Sequence, residues 1–148
     1  MEYIAAVHPE DGELVVTFPD CPGCVTQVET EDQLVPMAQE AFEGWLESHL
    51  AHGEAPPRPV PRKRAPRGAR FVAVPISLTL SAQLSLRWAR QDAGLTQAAL
   101  AKRVGIGQPQ IAKLERPGSN PSLETLEKVM RALGARLDLR LSRLETPA

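Results

Sequence analysis

The sequence predicts a two-part chain: an α+β unit of order β-β-β-α-β over residues 1–80, followed by an all-α unit with a C-terminal β-strand over residues 81–148. In the first part, short runs rich in β-branched residues precede one amphipathic helical stretch. A segment dense in proline and arginine, residues 54–70, then interrupts this unit before its last strand. In the second part, several capped helical segments each stop at a glycine.

The strands of the first unit are predicted from apolar and β-branched runs that are bounded by turn residues. Three of them precede the helix and one follows the proline-rich segment, at residues 3–7, 13–18, 24–29 and 71–78. Pro75 suits a strand at the edge of a sheet, because proline donates no hydrogen bond to a neighbour. The closing strand is therefore expected to complete a small sheet from one side.

A single helix is expected between the third and fourth strands. Thr30 and Gln33 have the spacing of a capping box, in which each side chain bonds to the backbone N–H of the other residue. Apolar residues then recur at the spacing of one helical face: Leu34, Ala38, Ala41, Phe42 and Trp45. Pro36 removes a backbone donor, so the helix is expected to start near Val35 or to bend there.

The second unit is predicted to contain four helices, at residues 85–94, 97–104, 108–115 and 122–133. Thr96 and Ser122 precede two of them as N-caps, and Gly105 permits a tight turn. Leucines then alternate with charged residues over 135–144, which indicates a strand with one apolar face. Such a lone strand is expected to pair with a second copy of the chain or to return to the first sheet.

Charge is divided sharply between the two parts. Residues 1–54 contain twelve acidic residues and no lysine or arginine, whereas residues 55–148 contain all 17 basic residues and six acidic ones. The two parts therefore sum as −12 and +11, which gives the net charge of −1. This division indicates nucleic acid as a partner for the basic part and a basic partner for the acidic part. Mutual attraction of the two parts is the alternative.

Other classes of protein are disfavoured by the composition. No apolar run reaches the roughly 18 residues that a membrane-spanning helix needs, so no membrane partner is expected. The first residues lack the basic and apolar regions of a signal peptide, and a cytoplasmic location is expected. Two cysteines in such a chain do not predict a disulfide framework.

Residues 86–134 resemble the helix-turn-helix domains of the phage-repressor and Cro class. The resemblance is carried by AGLTQ, LAKRVGI, IAKLERPG and NPSLETL, in that order along the chain. It implies that the helix at 108–115 is the recognition helix, which enters the major groove of double-stranded DNA. It also implies a homodimer, or a higher homo-oligomer, that binds an operator with an inverted repeat.

The same resemblance implies roles for individual residues. Eight are assigned to DNA binding, on the recognition helix and beside it: Gln97, Gln108, Pro109, Gln110, Lys113, Arg116, Ser119 and Asn120. Glutamine can read adenine and lysine can read guanine, whereas Pro109 can contact only a thymine methyl group. Gln97 is expected to hold a phosphate and to support the recognition helix. Arg90 and Glu115 lie where this class has a buried ion pair, so a structural role is expected for them.

Residues 1–80 resemble the HicB antitoxin family, which implies a truncated RNase H-like fold. The matching strings are MEYIAAV, EDGELVVTFPD, FPDCPGCVTQ, AQEAFEGWLESHLAHGEAPPRP and FVAVPISL. The family implies a partner, a small basic HicA-like toxin that cleaves mRNA, and a type II toxin–antitoxin operon that the DNA-binding part represses. The toxin-facing surface is expected at the sheet edge and its loops, including Phe18, Asp20, Glu29 and Glu31.

No catalytic residue, metal site or cofactor is predicted, and the chain is not expected to be an enzyme. Asp11 and Asp20 flank the second strand, but a nuclease needs several carboxylates that converge on two metal ions. The three histidines, His8, His49 and His52, have no evident third ligand or nucleophile beside them.

The pair Cys21 and Cys24 could be a redox dithiol, half of a zinc site or a structural turn, and a structural turn is favoured. The chain has no second pair of cysteines to complete a zinc site. The alternative function is a stand-alone transcriptional repressor whose first unit senses a small molecule or a redox state.

Overall fold

The computed structural model describes residues 1–141 and residue 143 of the 148-residue chain. Four strands and five α-helices follow one another in this part: β1 (Glu2–Glu10), β2 (Glu13–Thr17), β3 (Val25–Val28), α1 (Leu34–Ala51), β4 (Arg70–Pro75), α2 (Leu78–Asp92), α3 (Gln97–Val104), α4 (Gln108–Leu114) and α5 (Leu123–Ala132). The predicted α+β unit and helical unit are therefore confirmed.

The strands form one antiparallel sheet in the order β3-β2-β1-β4. Alternation along the strands directs Tyr3, Val16, Val28 and Val74 to one face, where each is almost fully buried. This face packs against α1 and against the first part of α2. The closing strand β4 lies at the edge, as Pro75 predicts.

Phe42 of α1 is the centre of the core beneath the sheet. Its ring stacks on Phe18 with a centroid distance of 4.0 Å and meets the edge of Tyr3 at 4.7 Å. All three side chains are almost fully buried. Aromatic pairs of this kind add a directional term to the apolar burial.

The start of α1 differs from the expected capping box. Residues Glu31–Gln33 form a single 3₁₀ turn, and the Thr30 side chain makes no capping hydrogen bond. The helix then begins at Leu34, which places Pro36 in the first turn. Because the first backbone N–H groups of a helix have no partner within it, proline is tolerated there.

No helix within residues 1–141 is long and apolar enough to cross a membrane.

Helix α2 belongs to both units. It begins at Leu78, seven residues before the predicted start, and Ser77 caps it by accepting a hydrogen bond from the Leu80 N–H at 3.3 Å. Leu80, Leu84 and Trp88 pack into the core beneath the sheet. Leu86 packs instead into the core of the helical unit. The expected boundary between residues 80 and 81 thus falls inside one continuous helix.

Helices α3 and α4 form the helix-turn-helix pair. Thr96 accepts a hydrogen bond from the Ala99 N–H at 3.1 Å, so the predicted cap of α3 is confirmed. Gly105 ends α3 with a φ of 81°, a left-handed conformation that glycine adopts without strain. Ser122 caps α5 in the same way through the Thr125 N–H. Local capping signals thus define the ends of these helices.

The predicted C-terminal strand does not form over the described residues 135–141, which have no regular structure. Leu139 and Leu141 are exposed, with 56% and 106% of their surface accessible. An isolated strand lacks partners for its backbone hydrogen bonds, and residues 135–141 join neither edge of the sheet. Ser142 and Leu144, which belong to the same prediction, lie outside the described residues. Pairing with a second copy stays a prediction.

Candidate nucleic-acid and partner-binding sites

Helix α4 presents a polar face to solvent and an apolar face to the core. Ile111 and Leu114 are buried, which fixes the helix against its neighbours. The expected contact residues on and after the helix are exposed: Gln108, Pro109, Gln110, Lys113, Arg116 and Asn120. This arrangement leaves amide and ammonium groups free to approach the edges of bases.

Glu115, directly after α4, is completely buried and receives hydrogen bonds from three side chains. Arg90 donates twice, from Nε to Oε1 at 2.5 Å and from Nη2 to Oε2 at 2.8 Å. Arg87 donates from Nε at 3.3 Å and Gln97 from Nε2 at 3.1 Å, both to Oε2. The structure thus brings Arg90 and Glu115 together and adds Arg87, which the sequence did not single out. We call these four residues the Glu115 network.

The protonation of Glu115 is controlled by opposing effects. Burial alone would raise the pKa of this carboxyl group, because a charge is costly away from water. The hydrogen bonds from Arg90 and Gln97, together with the positive charges of Arg90 and Arg87, outweigh burial and lower the pKa. The same contact raises the pKa of Arg90. The network is therefore an ionised carboxylate held by two guanidinium groups.

The Glu115 network reaches α4 through Gln97. Its Oε1 accepts a hydrogen bond from Gln108 Nε2 at 3.0 Å, while its Nε2 donates to Glu115. Gln97 therefore links the buried carboxylate to the first residue of α4. The phosphate contact expected of Gln97 stays a prediction.

Besides Gln97 and Gln108, two more of the expected DNA-binding side chains have partners within the protein. Gln110 Oε1 accepts a hydrogen bond from the Gly107 N–H at 3.0 Å, which closes the first turn of α4. Ser119 is buried, and its hydroxyl accepts a hydrogen bond from Gln83 Nε2 at 2.8 Å. These contacts shape the start of α4 and the loop that follows the helix. The side chains of Lys113, Arg116 and Asn120 are exposed, and Gln108 is exposed too, although it makes one hydrogen bond, to Gln97.

A groove of about 610 Å³ lies between α4 and α5. Apolar side chains such as Val104, Ile106 and Val129 form its floor, its polar lining includes Gln110, Lys113, Asn120 and Lys128, and none of the described residues that line it is acidic. Lysines and backbone amides without opposing carboxylates suit a phosphate chain. The groove thus continues the exposed polar face of α4 towards α5.

The structure corrects the expected surface roles of Phe18 and Asp20. Phe18 is 2% exposed because its ring stacks inside the core. The side chain of Asp20 is 4% exposed, and it accepts hydrogen bonds from Arg62 at 2.6 Å and from the Val60 N–H at 3.0 Å. Both residues therefore hold the unit together. The alternation of Leu14, Val16 and Phe18 could have signalled the burial of Phe18, whereas the pairing of Asp20 with Arg62 has no local signal.

The other two expected partner-facing residues are exposed. Glu31 forms an ion pair with Arg70, with contacts of 2.5 and 2.6 Å. Glu29 follows β3, the outermost strand, and borders a shallow depression that Glu13 also lines. The acidic surface of the first unit is thus partly compensated near β4 and is more open near β3.

The proline-rich segment has no helix or strand over residues 54–66, but it is anchored to the fold. The carbonyl of Pro56 accepts a hydrogen bond from Trp88 Nε1 at 3.0 Å, and that of Pro57 accepts one from the Tyr3 hydroxyl at 2.8 Å. Arg58 forms an ion pair with Asp92 at 2.6 Å and lies 5.5 Å from the centre of the Trp88 ring. Residues 54–62 are therefore docked on the fold and are not a free spacer. We call these residues the strap.

The two cysteines lie in a buried turn. Cys21 is fully buried and Cys24 is 4% exposed, and the Cys24 N–H donates to the Cys21 carbonyl at 3.2 Å. Burial raises the pKa of Cys21 to about 12, with Asp20 contributing, and the pKa of Cys24 to about 11. Within residues 1–141, no three His, Cys, Asp or Glu side chains converge on a metal-binding position.

Comparison with known proteins agrees with this two-part organisation. A family described as the HicB_like antitoxin of bacterial toxin-antitoxin systems matches residues 3–78, and a helix-turn-helix family matches residues 86–139. The chain is 30% identical over 140 residues to Antitoxin HicB 1 of Photorhabdus laumondii, a similarity that covers 94% of this chain and 86% of that one. Antitoxin HicB of Escherichia coli K12 is 26% identical over 140 residues, covering 94% and 98%.

Two further similarities are partial. Antitoxin HigA1 of Mycobacterium tuberculosis is 44% identical over 50 residues, which are 34% of each chain. A solved chain described as "HicA3 and HicB3 toxin-antitoxin complex" matches 52% of this chain and 99% of its own length, with 26% identity and a TM-score of 0.43. On the strength of the family match and the nearly full-length relatives, the chain belongs to the HicB-like antitoxin family and carries a C-terminal helix-turn-helix domain.

Proposed function

We propose that the chain is the antitoxin of a type II toxin–antitoxin system. Its first unit binds and neutralises a small basic HicA-like toxin, and its helix-turn-helix unit binds operator DNA and represses the operon of both proteins. The observation that carries this proposal is the 140-residue similarity to proteins named Antitoxin HicB, which spans both units. The chain acts through binding and not through catalysis.

The exposed face of α4 supports the DNA-binding part of the proposal. Gln108 and Lys113 offer groups that can bond to adenine and guanine in the major groove. Arg116 and Asn120 extend this face, and the groove between α4 and α5 suits the phosphate backbone. A dimer is expected to place two such helices on an inverted repeat with half-sites about one helical turn apart.

The outer face of the sheet supports the partner-binding part. Ile4 and Phe71 are half-buried there, and Val25 is 58% exposed. The side chains of Glu13, which is half-buried, and Glu29, which is exposed, border this face near β3. Residues 1–54, to which both belong, contain no lysine or arginine. A basic protein with an apolar centre complements such a surface, whereas a second copy would place carboxylates opposite carboxylates.

The alternative of a redox-sensing repressor receives no support from the cysteine pair. A reactive thiol needs a lowered pKa and access to solvent, but both thiols here are buried and have raised pKa values. The turn that contains Cys21 and Cys24 is therefore assigned a structural role in the proposed antitoxin.

Co-expression with the product of an adjacent short gene tests the partner-binding part. The chain is expected to restore the growth of cells that express that product, and to co-purify with it. A Glu13→Lys, Glu29→Lys double variant is expected to lose rescue, because it reverses the charge beside the outer face. Glu124→Lys, which reverses an exposed charge in the helical unit, is the matched control and is expected to rescue. Failure of the unaltered chain to rescue growth would contradict the proposal.

Gln108→Ala and Lys113→Ala test the DNA-binding part. Each is expected to weaken specific binding by about tenfold, since a side-chain contact to a base edge carries about 1–3 kcal/mol of discrimination. Neutralisation of the toxin is expected to be unchanged in both variants. Repression that survives both substitutions would contradict the assignment of α4 as the recognition helix.

A further inference from the structure

The strap formed by residues 54–62 supplies acceptors to buried donors of the fold. Proline-rich segments in extended conformation leave their carbonyl groups without internal partners. Three of these carbonyls, those of Glu54, Pro56 and Pro57, accept hydrogen bonds from Arg87, Trp88 and Tyr3. Two of the three donors, Arg87 and Trp88, are neighbours on α2, the helix that both units share.

Arg87 connects this strap to the Glu115 network. Its guanidinium is buried, with 5% of the residue exposed, and it has two partners on opposite sides. Nη1 donates to the Glu54 carbonyl at 2.5 Å, and Nε donates to Glu115 Oε2 at 3.3 Å. A buried guanidinium is costly unless its donors are satisfied, so movement of the strap also disturbs the contact with Glu115.

The Glu115 network in turn orients the amide of Gln108. An ionised carboxylate only accepts hydrogen bonds, so the Gln97 amino group must face Glu115 and its carbonyl must face Gln108. Gln108 then uses one N–H on Gln97 and keeps its second N–H and its carbonyl oxygen for a ligand. That remaining pair is the one that recognises N7 and N6 of adenine.

We propose that Arg87 is a positioning residue through which the docked strap controls base recognition by Gln108. This inference rests on the proposed DNA-binding function and goes beyond it, because the strap belongs to the unit proposed to bind the toxin. When the strap is docked, Arg87 fixes the position of Glu115, and Glu115 fixes the orientation of the Gln108 amide through Gln97. When the strap is displaced, the preference for adenine at the Gln108 position weakens while contacts with phosphates remain.

The test uses the full chain and a duplex that the unaltered chain selects from a random-sequence pool, with a scrambled duplex of equal composition as the nonspecific probe. The base preference that Gln108→Ala loses is measured first. Arg87→Lys keeps a positive charge beside Glu115 but lacks the planar guanidinium whose Nε and Nη1 donate in two directions to Glu115 and to the Glu54 carbonyl. It is expected to lose that same preference, with about a tenfold fall in affinity for the selected duplex. Affinity for the scrambled duplex is expected to change by less than about twofold.

A second variant keeps the inference testable if Arg87→Lys folds poorly. Tyr3→Phe removes the donor to the Pro57 carbonyl and leaves every residue of the helical unit intact. It is expected to cause a fall of about twofold to threefold in affinity for the selected duplex, since one neutral hydrogen bond holds the strap less tightly. Arg131→Lys, an exposed arginine paired with Glu127 on α5, is the matched control and is expected to have no effect.

The possible outcomes separate this inference from the proposed function. An unchanged base preference in both Arg87→Lys and Tyr3→Phe would overturn the inference alone. So would an equal loss of affinity for both duplexes, which a merely structural role would produce. If the unaltered chain selects no sequence, the proposed DNA-binding function fails and the inference fails with it.

Discussion

The core beneath the sheet and the core of the helical unit meet at α2, but they are built from different side chains. The first packs two aromatic rings against Phe42, with Phe18 stacked on it and Tyr3 meeting it edge to face. The second has aliphatic residues, such as Leu100, Ile111 and Val129, beside a completely buried carboxylate. The first core is therefore mainly apolar and aromatic, with polar contacts at its margin such as that of Asp20 with Arg62, whereas the second has an ionic network inside it.

This difference matches the tasks proposed for the two units. Apolar burial is not directional, so the first core supports a sheet whose outer face is free to bind a partner. Hydrogen bonds to a carboxylate are directional, so Glu115 holds Arg90 and Gln97 in defined orientations. The helical unit thus accepts the cost of burying a charge and gains a fixed orientation for its recognition helix.

The largest expected effect is in the aromatic core. Phe42→Ala should lower the free energy of unfolding by about 4 kcal/mol, because it removes a fully buried ring and leaves a cavity. Urea denaturation followed by tryptophan fluorescence measures the change. Phe71→Ala, on the half-exposed outer face, is the control and should cost about 1 kcal/mol. Similar losses for the two variants would contradict the central role of Phe42.

The ionic core should respond somewhat less. Arg90→Ala should lower the free energy of unfolding by about 3 kcal/mol, since it leaves a buried carboxylate poorly compensated. Arg87 remains 3.3 Å from Glu115 and limits the loss. Arg136→Ala, at an exposed arginine, should change stability by less than about 0.5 kcal/mol. An unchanged melting temperature for Arg90→Ala would remove the structural role assigned to this pair.

Acid should weaken the ionic core selectively. The folded state lowers the pKa of Glu115 below the ordinary value of about 4.3, so ionised Glu115 stabilises the fold above that value. This contribution is lost as the pH falls from the ordinary pKa through the lowered one. Urea midpoints measured from pH 7 to pH 3 should fall more steeply for the unaltered chain than for Glu115→Gln. Parallel pH profiles would show that Glu115 does not contribute.

The smallest effect is expected at the cysteines. With pKa values of about 12 and 11, the thiolate fractions of Cys21 and Cys24 at pH 8 are about 10⁻⁴ and 10⁻³. Iodoacetamide should therefore label the folded chain far more slowly than the chain in urea, as followed by mass spectrometry. Rapid labelling of the folded chain would indicate an accessible thiol and would reopen the redox alternative.

The elements with local signals could be predicted from the sequence. Thr96 and Ser122 cap helices because their hydroxyl groups accept bonds from nearby backbone donors, and Gly105 ends α3 because its φ is positive. Helix α4, with Ile111 buried and Lys113 exposed, follows from the same short-range periodicity. These features depend on residues only a few positions apart.

Features that depend on tertiary contacts could not be predicted in this way. The first half of α2 contains Thr79, Ser81 and Ser85, which are weak helix formers, and it is held by Leu80 and Leu84, which pack into the core beneath the sheet. Asp20 and Arg62 are 42 residues apart, so their pairing has no local signal. The same holds for Arg87, whose partners lie in the strap and after α4.

Because α2 contributes to both cores, we expect the two units to unfold together. Unfolding the first core exposes Leu80 and Leu84, and it removes the support on which Leu86 and Arg87 reach the second core. A protease that cleaves locally unfolded chains therefore finds both units unfolded when either one opens. Degradation of such a chain would end partner binding and DNA binding in one event.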